Sequence, residues 1–305
     1  VAPTAEGGLG MTAQWDDDVH HALHAALTGE RQGYYADFAG HGEAMPEGGP
    51  LAVLAKVLTR GFLHDGVHSS FRGASWGRPV DTEHLDARRL LGYLQTHDQV
   101  GNRAVGERIS ALLGPGAQAA GAALYLLAPT TPMLFMGEEW AAGTPWQFFT
   151  SFEEDWLVDA VRDGRRAEFG GHGWSVVEVP DPQDRATRDR SVLDWSERDE
   201  PGHARMLQWY TDCTGLRRRL LGTAPTRFAD VDARFDEDER WFVLTHRPAS
   251  GDAYAVVANL SATPRSVPVG GADAVLLAWA DGTTVDGGAV ALPAECVAVV
   301  SLAAT

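Results

Sequence analysis

The chain is 305 residues long, 44% hydrophobic and 22% charged, and its 25 basic against 42 acidic residues give a formal net charge of −17. That length can bury a large core in one or two domains, and the acidic balance excludes a polyanion such as DNA, whose binding is carried by clustered Lys and Arg. No apolar run approaches the ~18 residues of a membrane span and Val1 to Glu6 lacks the order of a secretory signal, so a cytoplasmic protein without a membrane partner is expected.

Leu9 to Trp15 has strand character. Asp16 to Asp18 then supply an N-cap and an acidic first turn for a helix from about Val19 to Leu27, closed by Gly29. Gly33 to Phe38 is an aromatic loop, Gly40 to Pro50 a Gly/Pro loop, and Leu51 to Arg60 a short apolar helix. Phe62 to Pro79 is a long irregular segment rich in Gly, His, Ser and aromatics, and loops of that length in a compact enzyme tend to carry function.

Leu90 to Thr96 is a short apolar run that breaks into His97 and Asp98, which predicts a buried strand with polar residues just past its end. Pro115 to Ala128 is an Ala- and Leu-rich helix, and Pro132 to Met136 a second apolar strand running into Gly137, Glu138, Glu139 and Trp140. Two strands of one build separated by a helix make a βαβ unit. In barrel enzymes the chemistry lies at the C-terminal ends of such strands, which makes Asp98 the first catalytic candidate. Ordinary turn chemistry is the other reading of an Asp followed by Gly and Asn.

Phe152 to Phe169 has helical spacing, Val179 to Asp189 reads as a charged surface loop, and Gly202 to Leu221 is an amphipathic helix whose Arg217, Arg218 and Arg219 complement its C-terminal dipole. Beyond Gly222, Arg240–Arg247, Ala253–Leu260, Ala274–Trp279 and Val297–Leu302 read as strands between Gly, Pro and Asp turns. The predicted division is therefore 1–222, α/β, and 223–305, all-β. Cys213 and Cys296 lack metal-ligand spacing and are expected to be reduced structural thiols.

THDQVGNR (96–103) and TTPMLFMGEEW (130–140), with AQWDDDVHHALHAALTGERQGYY (13–35), AAGTPWQFFTSF (141–152) and AEFGG (167–171), resemble the alpha-amylase superfamily of (β/α)8 barrels, glycoside hydrolase family 13. The resemblance covers nearly the whole chain. It implies the C-terminal part of a TIM barrel, about strands 6 to 8, followed by an antiparallel β-sandwich. It also implies a retaining glycosidase of a trehalose-releasing kind, acting on maltooligosyltrehalose or a related α-glucan. The superfamily places its nucleophilic Asp after the fourth strand and its acid/base Glu after the fifth, and neither motif occurs in this sequence. Glu6 lies in a Gly-rich loop with no apolar strand before it and does not fit the acid motif. The N-terminal half of the barrel is accordingly expected elsewhere in a longer protein. A branching or debranching enzyme and a catalytically incomplete glycan-binding module are the alternatives.

Retaining hydrolysis of an α-glucoside needs a nucleophile, an acid and stabilisation of an oxocarbenium-like transition state. The resemblance gives Asp98 the stabilising role, with His97 donating to the same sugar hydroxyls. Gln99, Asn102 and Arg103 are candidate scaffold or outer contacts. Trp15, Asp17 and His20 are candidate substrate contacts, as are Tyr34, Tyr35, Glu138 and Trp140, since sugar subsites pair aromatic platforms with planar polar groups. His20 and His24, one helical turn apart, have zinc-like spacing, but His21 stands where a zincin has Glu. Neither a metal nor any cofactor is expected.

Overall fold

The structure, a computed structural model, describes residues 1, 4–40, 46–171 and 179–303. In chain order its elements are β1 (Gln14–Trp15), α1 (Asp17–Thr28), α2 (Pro50–Arg60), β2 (His68–Ser69), β3 (Ala74–Ser75), β4 (Leu90–Gly92), α3 (His97–Gly101), α4 (Ile109–Leu112), α5 (Pro115–Leu126) and β5 (Thr131–Pro132). There follow α6 (Asp155–Gly171), α7 (Arg185–Arg190), α8 (Pro201–Leu221) and eight strands, β6 (Val231–Asp236), β7 (Trp241–His246), β8 (Tyr254–Asn259), β9 (Arg265–Pro268), β10 (Ala272–Ala278), β11 (Thr284–Asp286), β12 (Ala289–Leu292) and β13 (Cys296–Leu302). Two compact units emerge: one of 1–94, 114–133 and 209–305, the other of 95–113 and 134–208.

In the first unit β1, β4 and β5 form a parallel sheet in the order β1-β4-β5. The parallel pairing expected across the α5 connection is present. The strands are much shorter than the apolar runs that signalled them: β4 ends at Gly92 and β5 at Pro132, the last link between them being Met133 N donating to Gly92 O at 2.9 Å. The run expected as a strand over Leu9 to Trp15 pairs only at Gln14 and Trp15. Of the Gly/Pro loop expected over 40–50, residues 41–45 lie outside the described residues. The segment expected to be irregular over 62–79 holds the small β2–β3 hairpin.

Helix α1 forms where Val19, Ala22, Leu23 and Ala26 recur at helical spacing, and all four are fully buried. Gly29 ends it at φ 75°, a conformation that glycine adopts without steric cost. Helix α5 starts with Pro115 at its first turn and is buried on nearly every side from Gly116 to Leu126, which its Ala, Gly and Leu content permits.

The C-terminal strands build a five-stranded antiparallel sheet, β10-β13-β8-β7-β6, and a three-stranded one, β11-β12-β9. β8 and β13 sit between α5 on one face and β12 on the other. Covered on both faces, they bury YAVVAN throughout and CVAVVSL almost throughout, and so read as continuous apolar runs, whereas in β6 on the edge the exposed Asp232 and Arg234 alternate with buried and half-buried residues. Cys213 and Cys296 are both free and buried. Arg217 does not serve the α8 dipole as expected; it turns inward and donates to the carbonyls of Leu126 and Ala128, both at 2.7 Å, and of Thr130 at 2.6 Å.

His246, at the end of β7, is 3% exposed and neither ring nitrogen has a hydrogen-bond partner among the described residues. Burial pushes it down from 6.5 to about 4, against the pull of Asp230 and with a small push from Arg217. Since the folded value lies below the unfolded one, the neutral ring's stability contribution is complete above about pH 6.5 and is lost as pH falls toward about 4, at no more than ~1.4 kcal/mol per pH unit. Replacing the imidazole, as in His246→Phe, is expected to flatten this part of the profile. Urea unfolding of both proteins between pH 4 and 7 checks it, and parallel profiles would remove His246 as the cause.

The second unit contains α3, α4, α6 and α7 joined by long irregular segments. Its interior is organised by polar side chains. Arg108 is 2% exposed, stands 4.8 Å over the Phe135 ring, and donates to the carbonyls of Thr144 at 2.6 Å and Met136 at 2.8 Å. A guanidinium that deep is retained only where carbonyls and carboxylates surround it. Burial lowers its affinity for a proton, and Glu138, Glu197 and Glu139 oppose that shift. Among the described residues, no helix is long and apolar enough to cross a membrane.

Candidate active site

Within the first unit, Trp15 closes β1 and the chain turns directly into α1. The Asp16 amide donates to Leu91 O at 2.9 Å, tying that turn to β4. Asp16 occupies the N-cap position, but its side chain makes no capping bond, contrary to expectation. It is fully buried, and neither carboxylate oxygen has a hydrogen-bond partner among the described residues. Burial first, and then the charges of Asp18 and Asp17, hold its carboxyl well above the usual range, although the amides of Val19 and Asp18 pull the other way.

Asp17 points differently: it is exposed and accepts a hydrogen bond from the hydroxyl of Tyr93, the residue after β4. Trp15 is half exposed and meets the Tyr93 ring edge-on at 6.2 Å. His20 is buried, with Nδ1 donating to Leu94 O at 2.6 Å and Nε2 2.9 Å from the Tyr35 hydroxyl. The carbonyl can only accept, so Nδ1 carries the proton and Nε2 of the neutral ring accepts from Tyr35. His24 Nε2 is bonded to Glu30 at 2.8 Å, and its ring stacks on Tyr35 at 4.4 Å. The zinc-spaced pair thus directs both nitrogens of His20 and Nε2 of His24 to protein partners. Tyr34 lies against His21 at 4.9 Å and Phe71 at 6.3 Å. Trp15, Asp17, His20 and Tyr35 are therefore gathered around Tyr93 or His20, with Tyr34 alongside.

In the second unit the expected strand end at Asp98 is instead the first turn of α3. Thr96 has extended backbone angles and caps the helix, its hydroxyl accepting from the Asp98 amide at 3.2 Å. The same hydroxyl bonds to the Gln99 side chain. His97 and Asp98 are exposed, Gln99 is buried, and Asn102 closes the turn by donating its amide to Asp98 O at 2.8 Å. Arg103 forms an ion pair with Glu107 at 3.5 Å. A negative charge in a helix's first turn is favoured by the amides exposed there. The arrangement is a solvent-facing carboxylate with a histidine beside it, carried on a short helix whose first turn is capped by Thr96.

Glu138 and Trp140 share a one-turn 3-10 segment after β5 and lie inside the second unit, 3% and 2% exposed. Trp140 donates through Nε1 to Glu197 at 3.3 Å, and its ring lies 5.0 Å from Trp195. Sequence reasoning missed Tyr93 and Arg108, and it singled out Asp16 as a helix cap without foreseeing its burial. Tyr93 carried a signal, since a tyrosine in an apolar run needs a partner for its hydroxyl.

No protein-family model matches the chain. A Salmonella typhimurium protein described as an alpha amylase superposes with a TM-score of 0.81 at 32% identity, over 96% of this chain and 47% of that one. The fold is thus that of a portion of an alpha-amylase family enzyme, with a TIM barrel and a C-terminal β domain. Among curated proteins, the malto-oligosyltrehalose trehalohydrolase of Arthrobacter ramosus is 55% identical over 232 residues, 76% of this chain and 38% of that protein. The malto-oligosyltrehalose trehalohydrolase of Mycobacterium tuberculosis is 44% identical over 279 residues, 92% of this chain and 45% of its own length. The chain is a sequence relative of the C-terminal part of malto-oligosyltrehalose trehalohydrolases, and the superfamily resemblance read from its motifs is borne out. It spans less than half the length of these relatives.

Proposed function

We propose that this chain is part of a glycoside hydrolase that cleaves the α-1,4 bond next to the terminal trehalose of maltooligosyltrehalose and releases trehalose with a retaining mechanism. The observation that carries this reading is 55% identity to a protein of that name over three quarters of the chain. The capped, exposed Asp98 supports it. On this reading β1, β4 and β5 are the sixth, seventh and eighth barrel strands, residues 1–222 are barrel and 223–305 the β-sandwich domain. The nucleophile and the acid/base belong to the missing part of the barrel.

Asp98 then faces the sugar ring as positive charge develops at the anomeric carbon, and stabilises that charge more than it stabilises the ground state. His97 donates to ring hydroxyls. Trp15, Asp17 and Tyr34 supply further sugar contacts, with Asp17 oriented by Tyr93, while the buried His20 and Tyr35, bonded to each other and through His20 to Leu94 O, support them from behind instead of meeting the sugar as expected. Gln99, Asn102 and Arg103 hold the α3 turn, while the buried Glu138 and Trp140 shape their loop from inside.

The test of the reading is substrate preference in the full-length protein. Maltooligosyltrehalose should be hydrolysed far faster than a plain maltooligosaccharide of equal length, with trehalose as product; the reverse preference would move the assignment to another alpha-amylase-type activity. His97→Ala is expected to raise KM and lower kcat together, costing ~10-fold in kcat/KM, the worth of one or two hydrogen bonds. Steady-state kinetics on the trehalose-terminated substrate measures this.

A further inference from the structure

We infer that Arg165 is a positioning residue for Asp98, acting through the backbone carbonyls that close helix α3; the inference rests on the role proposed above for Asp98. Helix α3 has five residues, His97 to Gly101. A helix that short does not hold itself in water, because nucleation fixes several residues for one hydrogen bond, so both ends must be tied by other groups. Thr96 ties the start. At the other end, Arg165 on α6 sends Nη2 to the carbonyl of Gly101 and, at 3.1 Å, to that of Arg103.

Arg165 is 7% exposed. Its guanidinium carbon stands 5.0 Å from the Phe148 ring and 4.5 Å from the Phe169 ring, and Nη1 meets Glu168 Oε2 at 3.2 Å. The rings fix the plane of the guanidinium, and Glu168 occupies its other terminal nitrogen. The α3 carbonyls therefore meet a donor that is aimed before any substrate arrives. The neighbouring Arg166 pairs with Asp163 at 4.0 Å at the surface, so the two adjacent arginines do different things. Asp98 and Gly101 belong to the same turn, and Asn102 N is bonded to Asp98 O. Release of the Gly101 end lets that whole turn rotate, and the Asp98 carboxylate moves with it. Electrostatic stabilisation of a developing charge is sensitive to such displacement, with about 1 Å capable of costing ~100-fold.

The experiment is a double-mutant cycle in the full-length protein. Arg165→Gln is expected to lower kcat by ~10-fold or more with KM changed by less than ~3-fold, and in an Asp98→Asn background the same substitution should lower kcat by less than ~2-fold, since nothing remains to be positioned. Arg165→Lys, which keeps the charge and can serve one carbonyl, should recover part of the loss and is read beside it in case the Gln variant does not fold. An equal loss in both backgrounds, or a lowered melting temperature with unchanged kcat, would make Arg165 a stabilising residue only and overturn the inference while leaving the functional reading intact. A harmless Asp98→Asn would bring down both.

Discussion

Asp98→Asn is expected to lower kcat of the full-length protein by at least ~100-fold with little change in KM. The substitution keeps the shape of the side chain and its reach toward hydroxyls, and the Thr96 cap acts on the backbone amide of residue 98, so α3 is preserved. In the role proposed for Asp98, what disappears is a negative charge facing a sugar ring at the moment that ring becomes cationic. Loss of one preorganised electrostatic stabiliser costs ~3 kcal/mol or more. Because the charge contributes most at the transition state, the loss falls on kcat. Near-normal turnover by the Asn enzyme would return Asp98 to the ordinary turn chemistry that its Asp-x-x-Gly-Asn setting also suits. Steady-state kinetics with circular dichroism on both proteins is sufficient.

Arg217→Met is expected to be the most destabilising of the changes considered. The carbonyls of Leu126, Ala128 and Thr130, which receive the guanidinium, belong to residues that are 0%, 0% and 2% exposed, so water has little access to replace it. Arg217 is itself half-buried, and removing it from three carbonyls whose residues stay buried leaves unmet acceptors at a cost of ~3 kcal/mol. For a protein of this size that corresponds to a melting temperature lower by ~10 °C. Differential scanning calorimetry measures it, and a change within ±1 °C would show that the loop from α5 to β5 holds its course without the arginine. Burial of the guanidinium opposes its charge, and its retention reflects the carbonyls it serves.

Much of the fold was legible because its signals are local. The stripe of Val19, Ala22, Leu23 and Ala26 and the glycine at 29 specify α1 whatever packs against it. Proline at 115 and the Ala-rich run behind it specify α5 in the same way. The strands over 90–96 and 132–136 were half right: an apolar run suggests burial, and residues 93–96 are buried without belonging to a ladder, whereas after Pro132 Met133 and Phe135 are half-buried and Leu134 and Met136 are exposed. Periodicity cannot separate those two conditions in so short a stretch. Asp98 and His97 were visible through their motif, but the helical cap that presents them depends on Thr96, which could equally have ended a strand. Arg165 was hidden in a run of alternating charges that resembles a solvated face. Only its spacing from Phe169, four residues on and hence on the same side of a helix, hinted at an inward direction. Arg108 and Arg217 left no such mark, since an arginine that bonds distant carbonyls has the same sequence appearance as one in water.

Helix α5 belongs as much to the β-rich C-terminal part as to the parallel sheet. A side chain at Gly116 would collide with the carbonyl of Glu295, the Tyr254 hydroxyl donates to Leu127 O at 2.6 Å, and Trp209, bonded to Ala119 O at 3.0 Å, meets Trp279 edge-on at 5.5 Å. For anyone recombining relatives of this protein, the strands after residue 222 are therefore not a detachable cassette. A crossover at that point would match one parent's helix to the other parent's strands. Gly116 must meet a loop that leaves it room, and the residue at 254 must still reach the end of a helix more than a hundred positions earlier. Compatible crossovers are those that carry 115–127, 209 and the strands together, so the units of inheritance here are faces that fit one another, and the linear boundary between segments is a poor guide to where the molecule can be cut.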